Sequence, residues 1–215
     1  MKDVLTEELQ LFLRSLLPEE DAIQQELRAY ADEHHISVVD PEVGYLLHLL
    51  TGLVKPRNVL EIGTAIGCSG IYIARAMQDG MLTTIELQEE RHTMALDYFK
   101  RVGVDQKIHA VCGDARELVP QLEDQYDMIF MDAAKGQYME FLAVADRILK
   151  PGGLLVADNV LINGWVVNLN YPRHRQKTMV YRMKEFLEQF KENPAYQCSV
   201  VPLGDGVALI RKCEV

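Results

Sequence analysis

Five apolar runs, "NVLEI", "MLTTIEL", "KIHAVC", "YDMIFMD" and "GGLLVAD", recur along the chain, with segments of helical length between them. A strand that is apolar on both faces must be covered on both, and a helix between successive strands lets them run parallel. The alternation therefore predicts a doubly wound α/β fold, a mostly parallel sheet with helices on both sides. The ending departs from this pattern. "YQCSVVPLGDGVALIRK" reads as two strands about Gly204-Asp205-Gly206, a hairpin turn signal, so seven strands are expected, with one antiparallel strand at the far end of the sheet. Three helices precede the sheet: one over roughly 4–17, one after Pro18 with Ile23, Leu27 and Tyr30 on its apolar side, and one from Asp40-Pro41, where an N-cap is followed by proline in the first turn. With no repeat, low-complexity tract or linker, residues 1–215 are expected to form one domain, N-terminal helices over 1–54 and a core over 55–215.

At 48% hydrophobic and 25% charged residues the composition is that of a soluble globular protein. The opening "MKDVLTEELQ" has acids where a signal peptide carries a basic region, and no apolar run reaches membrane-spanning length, so a cytoplasmic protein with no membrane partner is expected. Cys68, Cys112, Cys198 and Cys213 stand far apart with no C-x-x-C pair, which predicts reduced, mostly buried thiols. A net charge of -10 opposes a polyanionic partner. Its distribution qualifies that: residues 1–33 hold three basic and nine acidic side chains, whereas residues 171–191 hold six basic and two acidic.

The ends of the strand-like runs carry the chemistry. "LEIGTAIGCSG" spaces Glu61, Gly63 and Gly67 with Ser69 at a helix start, which suits either a ligand loop or a tight structural turn; it departs from the G-x-G-x-x-G of dinucleotide sites. Glu86 ends the second run, twenty-three residues after Gly63, where an acid can accept both ribose hydroxyls. Asp114 and Ala115 follow the third, where they can frame an adenine. Asp132 ends the fourth run and Asp158-Asn159 the fifth, so in a parallel sheet two carboxylates and an amide oxygen converge. That hard-oxygen set suits Mg²⁺; zinc would want cysteine or histidine, and the six histidines have no ligand spacing. Lys135, on the first turn after Asp132, is expected to face the substrate.

"EIGTAIG", "GDA", "DAAKGQY" and "DNVLING" resemble the magnesium-dependent S-adenosylmethionine O-methyltransferases of the catechol and caffeoyl-CoA type, over roughly residues 36 to 212. The resemblance implies a Rossmann-like methyltransferase sheet. It places Glu61, Gly63 and Ser69 at the methionine part of the cofactor, Val39 and Asp132 also in contact with it, Glu86 at the ribose, and Asp114 with Ala115 at the adenine. It makes Asp132, Asp158 and Asn159 the metal ligands, Lys135 the catalytic base and Asn163 a substrate contact. "AYADEHHI", "DNVLINGWV" and "VPLGDGVAL" are most similar to the bacterial branch that methylates 5-hydroxyuridine at the tRNA wobble position.

In 5-hydroxyuridine the O5 hydroxyl and O4 carbonyl form a chelating pair; in a catechol two hydroxyls do, and either substrate suits one metal. The run Arg173, Arg175 and Lys177 is expected to hold tRNA phosphates, against the plainer reading of a solvated helix start. Trp165 and Tyr171 can stack on a base or anchor a loop. A small catechol-like substrate is the alternative to tRNA, and a noncatalytic nucleotide-binding domain is disfavoured by the D-x-x-K and D-N motifs. A homodimer through the N-terminal helices is expected.

Overall fold

The structure, a computed structural model, describes residues 7–133, 135–168 and 176–214. It opens with α1 (Glu7–Ser15), α2 (Ala22–Glu33) and α3 (Pro41–Val54). Asp21 starts α2 by accepting the N–H groups of Ile23 and Gln24 at 2.9 Å each. Proline is the first residue of α3, where an N–H has no helical partner to lose. The alternation follows as β1 (Asn58–Ile62), α4 (Cys68–Ala76), β2 (Met81–Glu86), α5 (Glu89–Val102), β3 (Ile108–Cys112), α6 (Ala115–Leu118), β4 (Tyr126–Met131), α7 (Tyr138–Ile148) and β5 (Leu149–Ala157). Short α8 (Trp165–Asn168), α9 (Lys177–Glu188) and the hairpin of β6 (Tyr196–Val201) and β7 (Val207–Lys212) complete the chain.

The seven strands form one sheet in the order β3-β2-β1-β4-β5-β7-β6, with β7 antiparallel to both its neighbours. The antiparallel strand is thus the last in sequence, as expected, but the sheet edge is β6. A hairpin makes two strands neighbours without saying which of them joins the sheet. Burial decides it: Val207, Ala208 and Ile210 of β7 are buried, while Gln197 to Val200 of β6 are exposed.

Alternation along the central strands builds two cores. Leu60, Ile62, Ile129, Met131 and Leu155 meet Phe141 and Ile148 of α7 and Val180 and Phe186 of α9 on one face. Val59, Met128, Phe130 and Val156 meet Leu27, Leu47, Ile71 and Phe99 of the four helices α2 to α5 on the other. The helices α2 and α3 are therefore part of the same packed face. Of the four cysteines, all free thiols, Cys68 is buried, Cys213 is half-buried, and Cys112 and Cys198 are exposed. The expectation of mostly buried thiols fails because β3 and β6, which carry Cys112 and Cys198, are the two edge strands. Among the described residues no helix is long and apolar enough to cross a membrane.

Candidate active site

The chain leaves β1 toward β2 and β3 on one side and returns to place β4 on the other, so a crevice opens at the carboxyl ends of β1 and β4. Gly63 sits in it with φ +103°, and a Cβ there would overlap the backbone carbonyl of Asp132. The glycine loop is therefore a packing requirement of the β1–β4 junction as well as a wall of the site. Asp132 N–H donates to Ile62 O at 3.0 Å, locking the two strand ends together. A cleft of about 400 Å³ lies above them, walled by Gly63, Ala65, Glu86, Asp114, Ala115, Asp132 and Asn159.

Glu86 is 7% exposed, and its two oxygens accept the N–H groups of Ala65 at 2.8 Å and Gln88 at 2.9 Å. These bonds aim the carboxylate along the rim of the glycine loop. Asp114 caps α6 by accepting the Arg116 N–H at 2.9 Å, and the Arg116 guanidinium beside it holds the Asp114 carboxyl below its usual range. Glu61 and Ser69, expected at the cofactor, stand behind the wall. Glu61 is fully buried on the α4 side of β1, accepting from Ser69 Oγ and Thr84 Oγ1 at 2.5 Å each. Burial pushes its pKa up to about 7, against the lowering effect of the two hydroxyl bonds and with the Glu86 charge adding to the rise. Val39 is 3% exposed in the linker between α2 and α3, its carbonyl held by Arg28 Nη1 at 2.6 Å; the cleft wall in that linker is Ser37.

The register pairs Met131 with Ala157, so Asp132 and Asp158 follow side by side. Asp158 is 2% exposed and its Oδ1 accepts the Asn159 N–H at 2.7 Å. Asn159 takes φ +55°, a left-handed turn that brings it to the cleft wall beside Asp132. A buried carboxylate, a second one on the adjoining strand and an amide oxygen are hard donors, and this chemistry fits a divalent cation such as Mg²⁺. Among the described residues no group of three or more His, Cys, Asp or Glu gathers for a metal; the set here has two carboxylates and depends on the amide. Lys135 opens a 3-10 turn, Lys135–Gln137, directly after this edge, and the structure describes its backbone only. Asn163 is exposed with φ +52°. Lys177 is exposed at the start of α9, whereas Arg173, Arg175 and Tyr171 lie outside the described residues.

A family profile described as O-methyltransferase matches residues 15–213. The chain belongs to the O-methyltransferase family. It is 34% identical over 177 residues to the catechol O-methyltransferase of Niastella koreensis, covering 79% of this chain and 80% of that one. It is 29% identical over 211 residues to caffeoyl-CoA O-methyltransferase 2 of Populus trichocarpa, covering 93% and 85%. Among solved structures it is similar to the O-methyltransferase TomG of Streptomyces achromogenes, involved in tomaymycin synthesis and determined in complex with SAM, at 28% identity and a TM-score of 0.87 over 100% of both chains.

Several residues of this methyltransferase's site carry no signal at the level of sequence motifs. Thr84 lies two residues before the strand-end acid, and only the pairing of β2 with β1, which sets it opposite Glu61, brings its hydroxyl to that buried carboxylate. Asp205 reads as a turn residue. In the structure its carboxylate accepts the Asn163 N–H at 2.6 Å and its carbonyl the Leu161 N–H at 2.9 Å, so the hairpin turn supports the loop after Asn159. Gly206 is needed there because its φ is +86° and a Cβ would overlap the Leu161 side chain. Trp165 is half-buried and packs against the α7–α9 core, which favours the anchoring reading of that residue.

Proposed function

We propose that the enzyme methylates the 5-hydroxyl of 5-hydroxyuridine at the tRNA wobble position, with S-adenosylmethionine as donor and Mg²⁺ as cofactor, giving 5-methoxyuridine. The observation that carries the tRNA reading is on α9. Lys177 and Tyr181 are exposed there, with Lys177 Nζ 5.6 Å from the centre of the Tyr181 ring. Next to them Arg182 Nη1 donates to Gly136 O at 2.7 Å, tying this face of α9 to the turn that Lys135 opens. A base can stack on an exposed ring and a phosphate can meet the ammonium beside it, whereas an enzyme for a small phenol needs neither outside its cleft. Arg173 and Arg175 are assigned to the same phosphates on the charge of their run and its place after Asn163.

Within the cleft Glu86 holds the ribose, Asp114 and Ala115 frame the adenine, and Gly63 admits the donor to the backbone. Glu61 and Ser69 brace that loop from beneath, and Val39 backs the methionine end from the α2–α3 linker. Asp132, Asp158 and Asn159 hold the cation, which when bound lowers the pKa of a hydroxyl paired with a neighbouring oxygen. Lys135 takes the hydroxyl proton, the oxygen takes the methyl group, and S-adenosylhomocysteine is left. Asn163 meets the acceptor at the cleft mouth. The enzyme works as a cytoplasmic homodimer.

A small catechol-like substrate is the second reading, favoured by the 34% identity to a catechol O-methyltransferase. The two separate in one assay. tRNA carrying 5-hydroxyuridine, incubated with the protein, S-adenosylmethionine and Mg²⁺ and digested to nucleosides, is expected to yield 5-methoxyuridine by mass spectrometry. Unmodified tRNA alongside rapid methylation of a free catechol would discard the tRNA reading.

A further inference from the structure

The stretch "MDAAKGQY" ends in Tyr138, a residue with no part in the chemistry proposed so far. Its ring is 1% exposed at the start of α7, and its hydroxyl reaches two backbone carbonyls, Asp158 O at 2.8 Å and Met131 O at 3.1 Å. One belongs to the residue before Asp132 and the other to Asp158 itself. The β4–β5 ladder stops there: Asp158 N–H donates to Met131 O at 3.0 Å, and the chain then turns at Asn159 with φ +55°. The single phenolic proton is shared across the gap between the two strand ends, where it orients the peptide that joins Asp158 to Asn159.

We infer that Tyr138 is a positioning residue for the divalent cation: its hydroxyl fixes the ends of β4 and β5 so that Asp132, Asp158 and Asn159 keep one relation to each other. The inference rests on the metal part of the function proposed above. The ring is anchored separately, edge to face with Phe186 of α9 at 5.5 Å between centres, and Tyr138→Phe should keep that anchor while deleting the donor. A partner lying behind the ligands commonly sets metal affinity in this way, and its loss costs about ten- to a hundredfold.

The test uses Mn²⁺ as the probe, its binding followed by the loss of the free-ion electron paramagnetic resonance signal, with calorimetric affinity for S-adenosylmethionine measured in parallel. Tyr138→Phe is expected to bind Mn²⁺ about tenfold more weakly or worse than the parent, with cofactor affinity changed less than about twofold. Placing 4-aminophenylalanine at position 138, which keeps a donor at the same end of the ring, is expected to restore Mn²⁺ binding. Ile148→Val, in the same core but away from the strand ends, controls for lost stability and should leave Mn²⁺ binding unchanged. Equal Mn²⁺ affinity in parent and folded Tyr138→Phe overturns the inference, as does an equal loss in Ile148→Val or a failure of the amino analogue to rescue. If the parent itself binds no Mn²⁺, the metal reading falls first and this inference with it.

Discussion

Glu61 carries a carboxyl where the face of β1 toward α4 admits no water, and its two hydroxyl partners do not offset the cost of burying the charge. Its pKa rises from the ordinary 4.5 to about 7, so the folded protein holds this proton more tightly than the unfolded chain. Between those two values stability must fall as pH rises, because there the native state binds the extra proton. The effect is on the order of 3 kcal/mol at most, since each tenfold gain in proton affinity is worth about 1.4 kcal/mol. Glu61→Gln, neutral at every pH, removes it. Urea unfolding of the two proteins from pH 4 to pH 9 should give closely matched stabilities at the acid end and a variant that gains on the parent up to about neutrality. Parallel profiles would mean that the carboxylate is better solvated than its burial implies.

At the scale of elements, the loop between β5 and α8 is strained and held from outside. Asn159, Ile162 and Asn163 all have positive φ, a conformation that non-glycine residues pay for unless their surroundings impose it. The β6–β7 hairpin does so: Val160 N–H donates to Gly206 O at 2.9 Å, and Asp205 holds both Leu161 and Asn163. Asp205→Ala removes the side-chain bond to Asn163, worth about 1 kcal/mol and made to the residue proposed to meet the methyl acceptor. The expected outcome is a raised KM for the methyl acceptor with unchanged calorimetric affinity for S-adenosylmethionine, whose proposed contacts are on β1, β2 and α6. A loss of cofactor affinity as large as the change in KM would show that the hairpin supports the whole site rather than this loop.

For the whole molecule, the N-terminal helices leave large apolar side chains in water. Leu11, Phe12 and Leu16 around α1 are 61%, 58% and 64% exposed, and Leu49 and Leu53 of α3 are 58% and 70% exposed. Arg14 joins the two helices through ion pairs to Asp40 and Glu42 at 2.9 Å each. Large apolar side chains left on neighbouring helices are what a self-complementary interface uses. A homodimer is expected by light scattering at micromolar concentration, and Leu49→Asp with Leu53→Asp is expected to give a folded monomer. A parent that runs as a monomer at that concentration removes the dimer from the proposal.

What the sequence determined by itself is the order of elements and the chemistry at their ends. Apolar runs bounded by Gly63, Glu86, Asp114, Asp132 and Asp158 read as strands with polar ends because local pattern and burial on both faces coincide in a parallel sheet. From that order, convergence of Asp132 with Asp158-Asn159 follows, since neighbouring parallel strands end at one edge. Three features depended on tertiary structure. Glu61 is a loop brace rather than a wall residue because strand alternation and the seating of α4 turn it away from the cleft. The hairpin enters the sheet by its second strand because β7, not β6, has the apolar face that β5 and the two cores require. Tyr138 and Asp205 reach the site through backbone carbonyls and N–H groups of residues 20 and 42 positions away, contacts that no spacing in the chain encodes and that only packing brings within hydrogen-bond distance.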